Sequence, residues 1–222
     1  MSPEQSGFVL EPEGIARLEG RGIRYPDHGL AHEREEAVAI ADRIGYPVVM
    51  KIVSTDVVHK TDVGGVRTGI GDPDQLRAVY DRMLEDVRSR LPNADLAGVL
   101  ICKHARDGVE VIVGVSRDPV FGKVLMCGLG GIYAEVIKDV SFRALPLRRI
   151  DAEEMIKELS ASDLINGARG RPTCGIDKFA DFLESVARFI DENDDIMELD
   201  LNPVRLHQDG AEVLDVRMFA RR

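Results

Sequence analysis

The sequence predicts an α+β fold in which helices alternate with strands and several neighbouring strands form hairpins. Segments with apolar residues at helical spacing are interleaved with short apolar or alternating segments that are typical of strands. Turn-rich sequences such as RDPVFG separate neighbouring strands, which favours hairpins over a simple doubly wound sheet. With 222 residues, of which 44% are hydrophobic and 31% charged, the chain is long enough for one domain or for two small lobes.

The first 95 residues are predicted to contain three helices and three strands. A helix around Ile15 and Leu18 precedes a brief strand in the sequence GIRYP, and a second helix ends at Gly45. The apolar strand PVVMKIV follows, and a glycine-containing turn leads to a second strand over residues 66–70. Asp72 and the proline after it are typical of a helix start, so a third helix begins there.

The remaining residues are predicted to be richer in strands. Three strand-like segments cover residues 97–102, 108–116 and 123–129, and helices begin at Asp151 and Asp177. The last segment is predicted to form two strands joined by an Asp-Gly turn. We place a lobe boundary near residue 95, which divides the chain into residues 1–95 and 96–222.

Composition narrows the class of protein. The net charge of −10, without a basic patch interleaved with aromatic residues, argues against a nucleic-acid partner. No apolar segment approaches the roughly 20 residues that a membrane span requires. The 3 cysteines are widely spaced in apolar surroundings, which favours buried free thiols over metal ligation or a disulfide. We expect a cytoplasmic protein without a membrane anchor.

The segment from Tyr46 to Gly71 carries the first candidate site. Lys51 lies inside the apolar strand, and an ammonium group in low dielectric needs an anionic partner. The turn that follows contains His59, Gly64 and Gly65, and such loops can bring backbone N–H groups and an imidazole close to phosphate. This combination predicts a polyphosphate site. The alternative is a lysine that extends to solvent and a solvated turn.

The sequence ELDLN near the C-terminus carries the second candidate site. Alternation places Glu198, Asp200 and Asn202 on one face of a strand, and Asp215 follows across the predicted hairpin. Carboxylate and amide oxygens suit Mg²⁺, which is often held by one or two protein groups together with substrate phosphates. The alternative is a polar strand edge that faces solvent.

Two further segments give weaker signals. GLGGIYAE (128–135) is a glycine turn after an apolar strand, but it lacks the third glycine and the helix of a dinucleotide fingerprint. In GVEVIVGVSRDPVFG, alternation places Glu110 on the face opposite to its valine neighbours. For the first segment, a purely structural turn is an equally good interpretation. For the second, an ordinary strand with a surface acid is equally good.

Together these segments resemble a known family. PVVMKIVSTDVVHKTDVGGV, GVEVIVGVSRDPVFG, GLGGIYAEVIKDVSFRALPL, GARGRP and ELDLNPV occur in the order seen in the ATP-grasp β subunit of ADP-forming acyl-CoA synthetases, including acetate–CoA ligases. The resemblance covers roughly residues 10 to 217, and its HKTDVGG element is specific to this family. It implies an ATP-grasp fold of two α/β lobes with the nucleotide bound between them. RGRPTCGID departs from the usual family sequence, so that loop is expected to differ in shape.

The resemblance also implies roles for individual residues. The nucleotide-phosphate lysine matches Lys51, and the Mg²⁺ ligands match Asn202 and Asp215. The carboxylate that orients a phosphohistidine matches Asp200, and a loop histidine thought to relay phosphoryl groups matches His59. The implied nucleotide-contacting positions are completed by Gly64, Gly65, Glu110 and, at the adenine hinge, Ile101 and Lys103.

The function implied is phosphoryl transfer between ATP/ADP and an acyl phosphate through phosphohistidine. The reaction converts acyl-CoA, ADP and phosphate into acid, CoA and ATP, with Mg²⁺ as cofactor. A separate CoA-binding α subunit is the implied partner, in an α2β2 hetero-oligomer. The alternatives are another ATP-grasp carboxylate ligase and a nucleotide-binding subunit that has no turnover of its own.

Overall fold

The computed structural model describes residues 6–57, 59–131, 139–160, 162–167 and 173–221. In these residues the strands are β1 (Ser6–Val9), β2 (His28–Ala31), β3 (Val48–Val53), β4 (Val66–Ile70), β5 (Gly98–Lys103), β6 (Val109–Asp118), β7 (Gly122–Leu129), β8 (Val140–Ala144), β9 (Ile196–His207), β10 (Gly210–Val213) and β11 (Val216–Arg221). The helices are α1 (Glu11–Leu18), α2 (Arg34–Ile44), α3 (Pro73–Arg90), α4 (Arg149–Lys157), α5 (Ser162–Ile165) and α6 (Gly175–Glu192). The predicted α+β class is confirmed.

Contacts between Cα atoms divide the chain into two units. The smaller unit runs from Pro26 to His104, and the larger one contains the chain up to Tyr25 and from Ala105 onward. This division differs from the single boundary expected near residue 95. The reason is long-range pairing, because β5 pairs with β3 and β1 pairs with β11, and local sequence patterns do not specify such partners.

The smaller unit is a four-stranded antiparallel sheet in the order β2-β5-β3-β4. One face of this sheet packs against α2 and α3. Val48, Met50 and Ile52 of β3 are fully buried there, in one cluster with Ala41 of α2 and Met83 of α3. Since successive side chains of a strand alternate between faces, the residues between them lie on the other face.

The larger unit contains a seven-stranded sheet in the order β1-β11-β9-β6-β7-β8, with β10 paired to β9. Alternate valines of β6 are buried, while the residues between them are partly exposed. The buried face is covered by α1, which contacts β11, by α4, which contacts β7 and β8, and by α6, which contacts β10. The sheet therefore has one helix-covered face and one face that carries the polar residues.

Two sequence predictions of strands are corrected. GIRYP does not form a strand: Arg24 makes only an isolated bridge to Glu212, and the strand here is β2, which pairs with β5. Its sequence HGLA lacks a strand-like alternation, so its partner and not its own pattern determines its conformation. The predicted C-terminal hairpin is also more complex, because β9 pairs with both β10 and β11.

Three further points from the sequence concern the cysteines, membrane-spanning segments and two glycine-containing segments. The cysteines are free, with Cys102 and Cys127 buried and Cys174 half-buried, and burial raises the pKa of Cys127 to about 12. No helix in the described ranges is long and apolar enough to cross a membrane. The second half of GLGGIYAE and all of GARGRP except Gly167 lie outside the described residues.

Candidate nucleotide and phosphoryl-transfer residues

Lys51 occupies the centre of the smaller sheet. It lies on β3 between Leu100 of β5 and Val66 of β4, and it is only 6% exposed. Because Met50 and Ile52 point into the helix-covered core, Lys51 lies on the opposite face. The predicted burial of this lysine is confirmed, so the reading of a lysine that extends to solvent is wrong. Its role in phosphate binding stays a prediction.

The loop after β3 is a compact turn closed by its own backbone. The N–H of Gly64 donates to the carbonyl oxygen of Thr61 at 3.0 Å. The N–H of Gly65 donates to that of Lys60 at 2.7 Å. Both donors are thus used inside the loop, and phosphate contact through them would require the loop to rearrange. His59, at the start of this turn, is exposed.

The shape of the turn accounts for both glycines. Gly64 has a φ of 72°, a conformation that favours glycine. A Cβ on Gly65 would lie 2.6 Å from two side-chain carbons of Ile52 and 3.0 Å from the carbonyl oxygen of Lys60. The chain reverses so closely over β3 here that a side chain has no room.

Two arginines attach this loop to α3. Arg67 donates to the carbonyl oxygen of Gly64 at 2.6 Å and to the carboxylate of Asp86 at 2.7 Å. Arg90, the last residue of α3, donates to the carbonyl oxygen of Asp62 at 2.8 Å. Sequence analysis did not select these arginines. They anchor the histidine loop on a helix that also forms the core.

Ile101 and Lys103 of β5, the residues expected at an adenine hinge, lie just before the end of the smaller unit at His104. The side chain of Ile101 is fully buried in the core beneath the helices. The ammonium group of Lys103 donates to the carbonyl oxygens of Gly45 and Tyr46, both at 2.8 Å. Gly45 follows the end of α2, where a cation is favourable. These contacts give both side chains a structural task, and the expected role of the two residues at an adenine hinge stays a prediction.

In the larger unit, Glu110 forms an ion pair across the sheet. Its carboxylate accepts a hydrogen bond from Arg205, which lies opposite on β9, at 2.5 Å. The carbonyl oxygen of Glu110 accepts from the N–H of Gly130 at 2.8 Å. A Cβ on Gly130 would lie 3.1 Å from the backbone of Glu110. The described part of the GLGG turn is thus explained by close packing on β6.

Alternation along β9 separates an acidic face from a buried one. Leu199 and Leu201 are at most 1% exposed, whereas Glu198 and Asn202 are exposed and Asp200 is half-buried. The predicted common face for the three polar residues is confirmed. A cleft of about 520 Å³ lies on this face, and Glu198 and Asp200 contribute to its lining.

Asn202 and Asp215 are neighbours, as the sequence predicted. The backbone N–H of Asn202 donates to the carbonyl oxygen of Asp215 at 3.2 Å, directly before β11 pairs with β9. An amide oxygen and a carboxylate suit Mg²⁺, which keeps several waters and takes further oxygens from substrate phosphates. The described residues contain no group of three or more His, Cys, Asp or Glu that could hold a metal. The donors fit a Mg²⁺ that is completed by nucleotide phosphates.

Arg217 is a further charged residue beside Asp200 and Asp215, and it was not selected from the sequence. It lies opposite Asp200 in the pairing of β11 with β9. Its Nη1 is 3.9 Å from Oδ2 of Asp200, and its Nε is 3.7 Å from Oδ2 of Asp215. Its spacing of two residues from Asp215 was the available signal, because such residues share a strand face.

Comparison with known proteins agrees with these features. Residues 2–219 match the model of the ATP-grasp domain family. The chain is 43% identical over 211 residues to the β subunit of acetate–CoA ligase [ADP-forming] I from Pyrococcus furiosus, with 95% of this chain and 91% of that subunit covered. It is 45% identical over 215 residues to acetate–CoA ligase [ADP-forming] I from Archaeoglobus fulgidus, covering 97% of this chain but only 31% of that protein.

A solved structure is also similar. It is the dinucleotide-forming acetyl-coenzyme A synthetase 1 of Ca. Korarchaeum cryptofilum, in complex with coenzyme A and Mg-AMPPCP, with its phosphohistidine segment pointing towards the nucleotide binding site. The TM-score is 0.82 at 40% sequence identity, and the match covers 96% of this chain and 93% of that one. The chain belongs to the ATP-grasp family and, within it, to the β subunits of ADP-forming acetate–CoA ligases.

Proposed function

We propose that this chain handles the nucleotide and the phosphoryl group in an ADP-forming acyl-CoA synthetase. The overall reaction converts acyl-CoA, ADP and phosphate into acid, CoA and ATP, and it runs in either direction because an acyl phosphate and ATP have comparable transfer potentials. The proposal is supported by the near-complete coverage of a β subunit with this activity in its name.

The observation that carries the proposal is the polar face of β9 and its neighbour. Asp200 and Asn202 share this face, and Asp215 is joined to Asn202 through the backbone. In the proposed mechanism Asn202 and Asp215 hold Mg²⁺, which would supply positive charge to the transferring phosphoryl group. Asp200 accepts a hydrogen bond from the imidazole that receives this group, and so keeps its other nitrogen aimed at phosphorus.

Lys51 is proposed to bind the nucleotide phosphates. It combines burial with a fixed position on a central strand, and a preorganised cation in such a place is effective in phosphoryl transfer. Glu110 is also proposed to contact the nucleotide, because its carboxylate is 36% exposed despite its ion pair.

His59 is proposed as the relay between the nucleotide and the second protein. A neutral imidazole is nucleophilic near neutral pH, and N-phosphorylation preserves the transfer potential. His59 is exposed, as an acceptor must be. The competing route is direct transfer from the nucleotide to a histidine of the partner. In the Korarchaeum synthetase a phosphohistidine segment points towards the nucleotide binding site.

The proposed partner is a CoA-binding α subunit, in an α2β2 assembly. The Pyrococcus relative bears the name of a β subunit, and the Archaeoglobus relative, of which this chain spans about a third, has room for an α part in the same polypeptide. Acyl selectivity would then belong mainly to the partner.

Isotope exchange tests the proposed function. The chain and its matching α subunit are incubated with Mg·ATP and labelled ADP, without acid or CoA. We expect label to enter ATP and phosphohistidine to form, because transfer to histidine releases ADP reversibly. Asp200→Asn should slow the exchange at least about tenfold, through loss of a charge-assisted hydrogen bond. Ligation of acid without any exchange or phosphohistidine would instead indicate another ATP-grasp carboxylate ligase.

A further inference from the structure

Arg217 stands between two carboxylates to which the proposed function gives different tasks. Its guanidinium lies 3.9 Å from Asp200 and 3.7 Å from Asp215, in ion-pair range of both. Both distances exceed the length of a hydrogen bond. Nε of Arg217 is buried and has no hydrogen-bond partner among the described residues. The arginine is therefore close enough to interact electrostatically with both acids, at distances longer than a hydrogen bond.

The backbone fixes this arrangement. Arg217 is paired with Asp200 across β11 and β9, and Asp215 directly precedes β11. The side chain of Arg217 is 23% exposed, against 30% for Asp200 and 15% for Asp215. At this degree of burial, a carboxylate on β9 and another directly before the neighbouring strand β11 repel each other unless a cation lies nearby.

We propose that Arg217 is a positioning residue that acts as a built-in counter-cation for Asp200 and Asp215. It holds Asp200 ready for an imidazole, and it competes electrostatically with a divalent cation for Asp215. The proposal rests on the proposed function for the tasks of the two acids. It adds Arg217 to the residues with a task, and it predicts two opposite effects of the same charge. This charge supports Asp200 but weakens cation binding at Asp215.

Because the two effects are opposite, loss of the charge should change cation affinity and phosphoryl transfer in opposite directions. An arginine with a merely structural role would not give this result. Without the positive charge, the protein should bind a divalent cation more tightly, by about threefold to tenfold for charges about 4 Å apart in a partly solvated site. Phosphoryl transfer to histidine should nevertheless become at least about tenfold slower, because Asp200 loses its support. A general loss of structure would weaken both properties together.

The experiment measures Mn²⁺ binding to the nucleotide-free chain by electron paramagnetic resonance, together with ADP–ATP exchange in the presence of the α subunit. Arg217→Met is compared with Arg217→Lys, which keeps the charge and should restore cation affinity to near the wild-type value. Arg217→Gln replaces Arg217→Met if the latter does not fold.

Arg117→Met is the matched control. Arg117 lies on β6 in the same sheet, is 30% exposed, is 3.8 Å from the carboxylate of Asp194, and also has a buried Nε without a hydrogen-bond partner. Its replacement should leave Mn²⁺ affinity unchanged. Unchanged or weaker Mn²⁺ binding in Arg217→Met would overturn the inference. Absence of exchange in the wild-type mixture would instead refute the proposed function.

Discussion

At the scale of single residues, two lysines of the smaller sheet look alike in sequence but are placed for different tasks. Lys51 is buried on the face away from the helices, whereas Lys103 donates to two carbonyl oxygens after α2. We expect Lys51→Met to lower the affinity for Mg·ADP by about 10- to 100-fold, which corresponds to one charge-assisted hydrogen bond to phosphate. Isothermal titration calorimetry measures this.

Lys103→Met provides the contrast. It should lower the free energy of unfolding by about 1–3 kcal/mol, because two carbonyl oxygens lose their donor, while nucleotide affinity stays near the wild-type value. Loss of nucleotide affinity in Lys103→Met, with stability intact, would instead show that the Lys103 side chain contacts the nucleotide.

Gly65 leads to a prediction about the histidine loop. Gly65→Ala would place a carbon 2.6 Å from Ile52, and either the loop or β3 must shift. We expect a loss of about 1–3 kcal/mol in the free energy of unfolding, typical of overpacking. Urea titration measures it. In the control Gly71→Ala, the new carbon would meet nothing closer than 3.6 Å, so its effect should stay within about 0.5 kcal/mol.

At the scale of elements, one ion pair links β8 to the end of α4. Glu158 accepts hydrogen bonds from Arg143 at 2.6 and 3.0 Å and from Ser141 at 2.6 Å, and these hold the pKa of Glu158 at about 2, below its usual 4.5. Because the folded-state pKa is lowered, the pair's contribution to stability is present above about pH 4.5. It is lost as the pH falls towards 2.

Glu158→Gln should therefore be less stable than the wild type at pH 7, and the difference should shrink as the pH is lowered towards 2. Urea midpoints at several pH values between 7 and 2 would show this, with Glu154→Gln, an exposed acid of the same helix, as the control. The idea fails if the difference between Glu158→Gln and the wild type is constant over that range.

At the scale of the whole molecule, short sequence patterns predicted the features that depend on neighbouring residues of one strand, such as which face a residue lies on and whether it is buried. The alternation in ELDLN placed Asp200 and Asn202 on one face, and the apolar neighbours of Lys51 indicated its burial. Strand partners were not predictable in this way, because the pairing of β1 with β11 joins opposite ends of the chain. The same limit explains Arg217, whose role depends on a neighbouring strand.

Glycines show a second limit of local patterns. A Gly-Gly pair after a lysine strand is typical both of phosphate loops and of tight turns, and sequence alone does not separate them. The hydrogen bonds of Gly64 and Gly65 and the contact with Ile52 favour the turn. Similarly, the position of Lys103 close to an expected hinge did not reveal that α2 ends beside it.

The route of the phosphoryl group is a property of the assembled protein, and His59 decides it. If His59 is the relay, His59→Ala should carry no acid-labile phosphate on this chain. Labelling of the α subunit should fall by at least about 100-fold, because loss of the His59 imidazole removes the nucleophile of the covalent route. Labelled ATP, Mg²⁺ and rapid separation of the subunits under alkaline conditions provide the measurement. In the control His32→Ala, which removes another histidine of the same unit, both chains should be labelled as in the wild type.

Full labelling of the α subunit by His59→Ala would show that the partner's histidine reaches the nucleotide directly, and Asp200 would then orient that imidazole instead. The loop contacts of Arg67 and Arg90 would in that case serve to hold His59 in a fixed place rather than to control its movement.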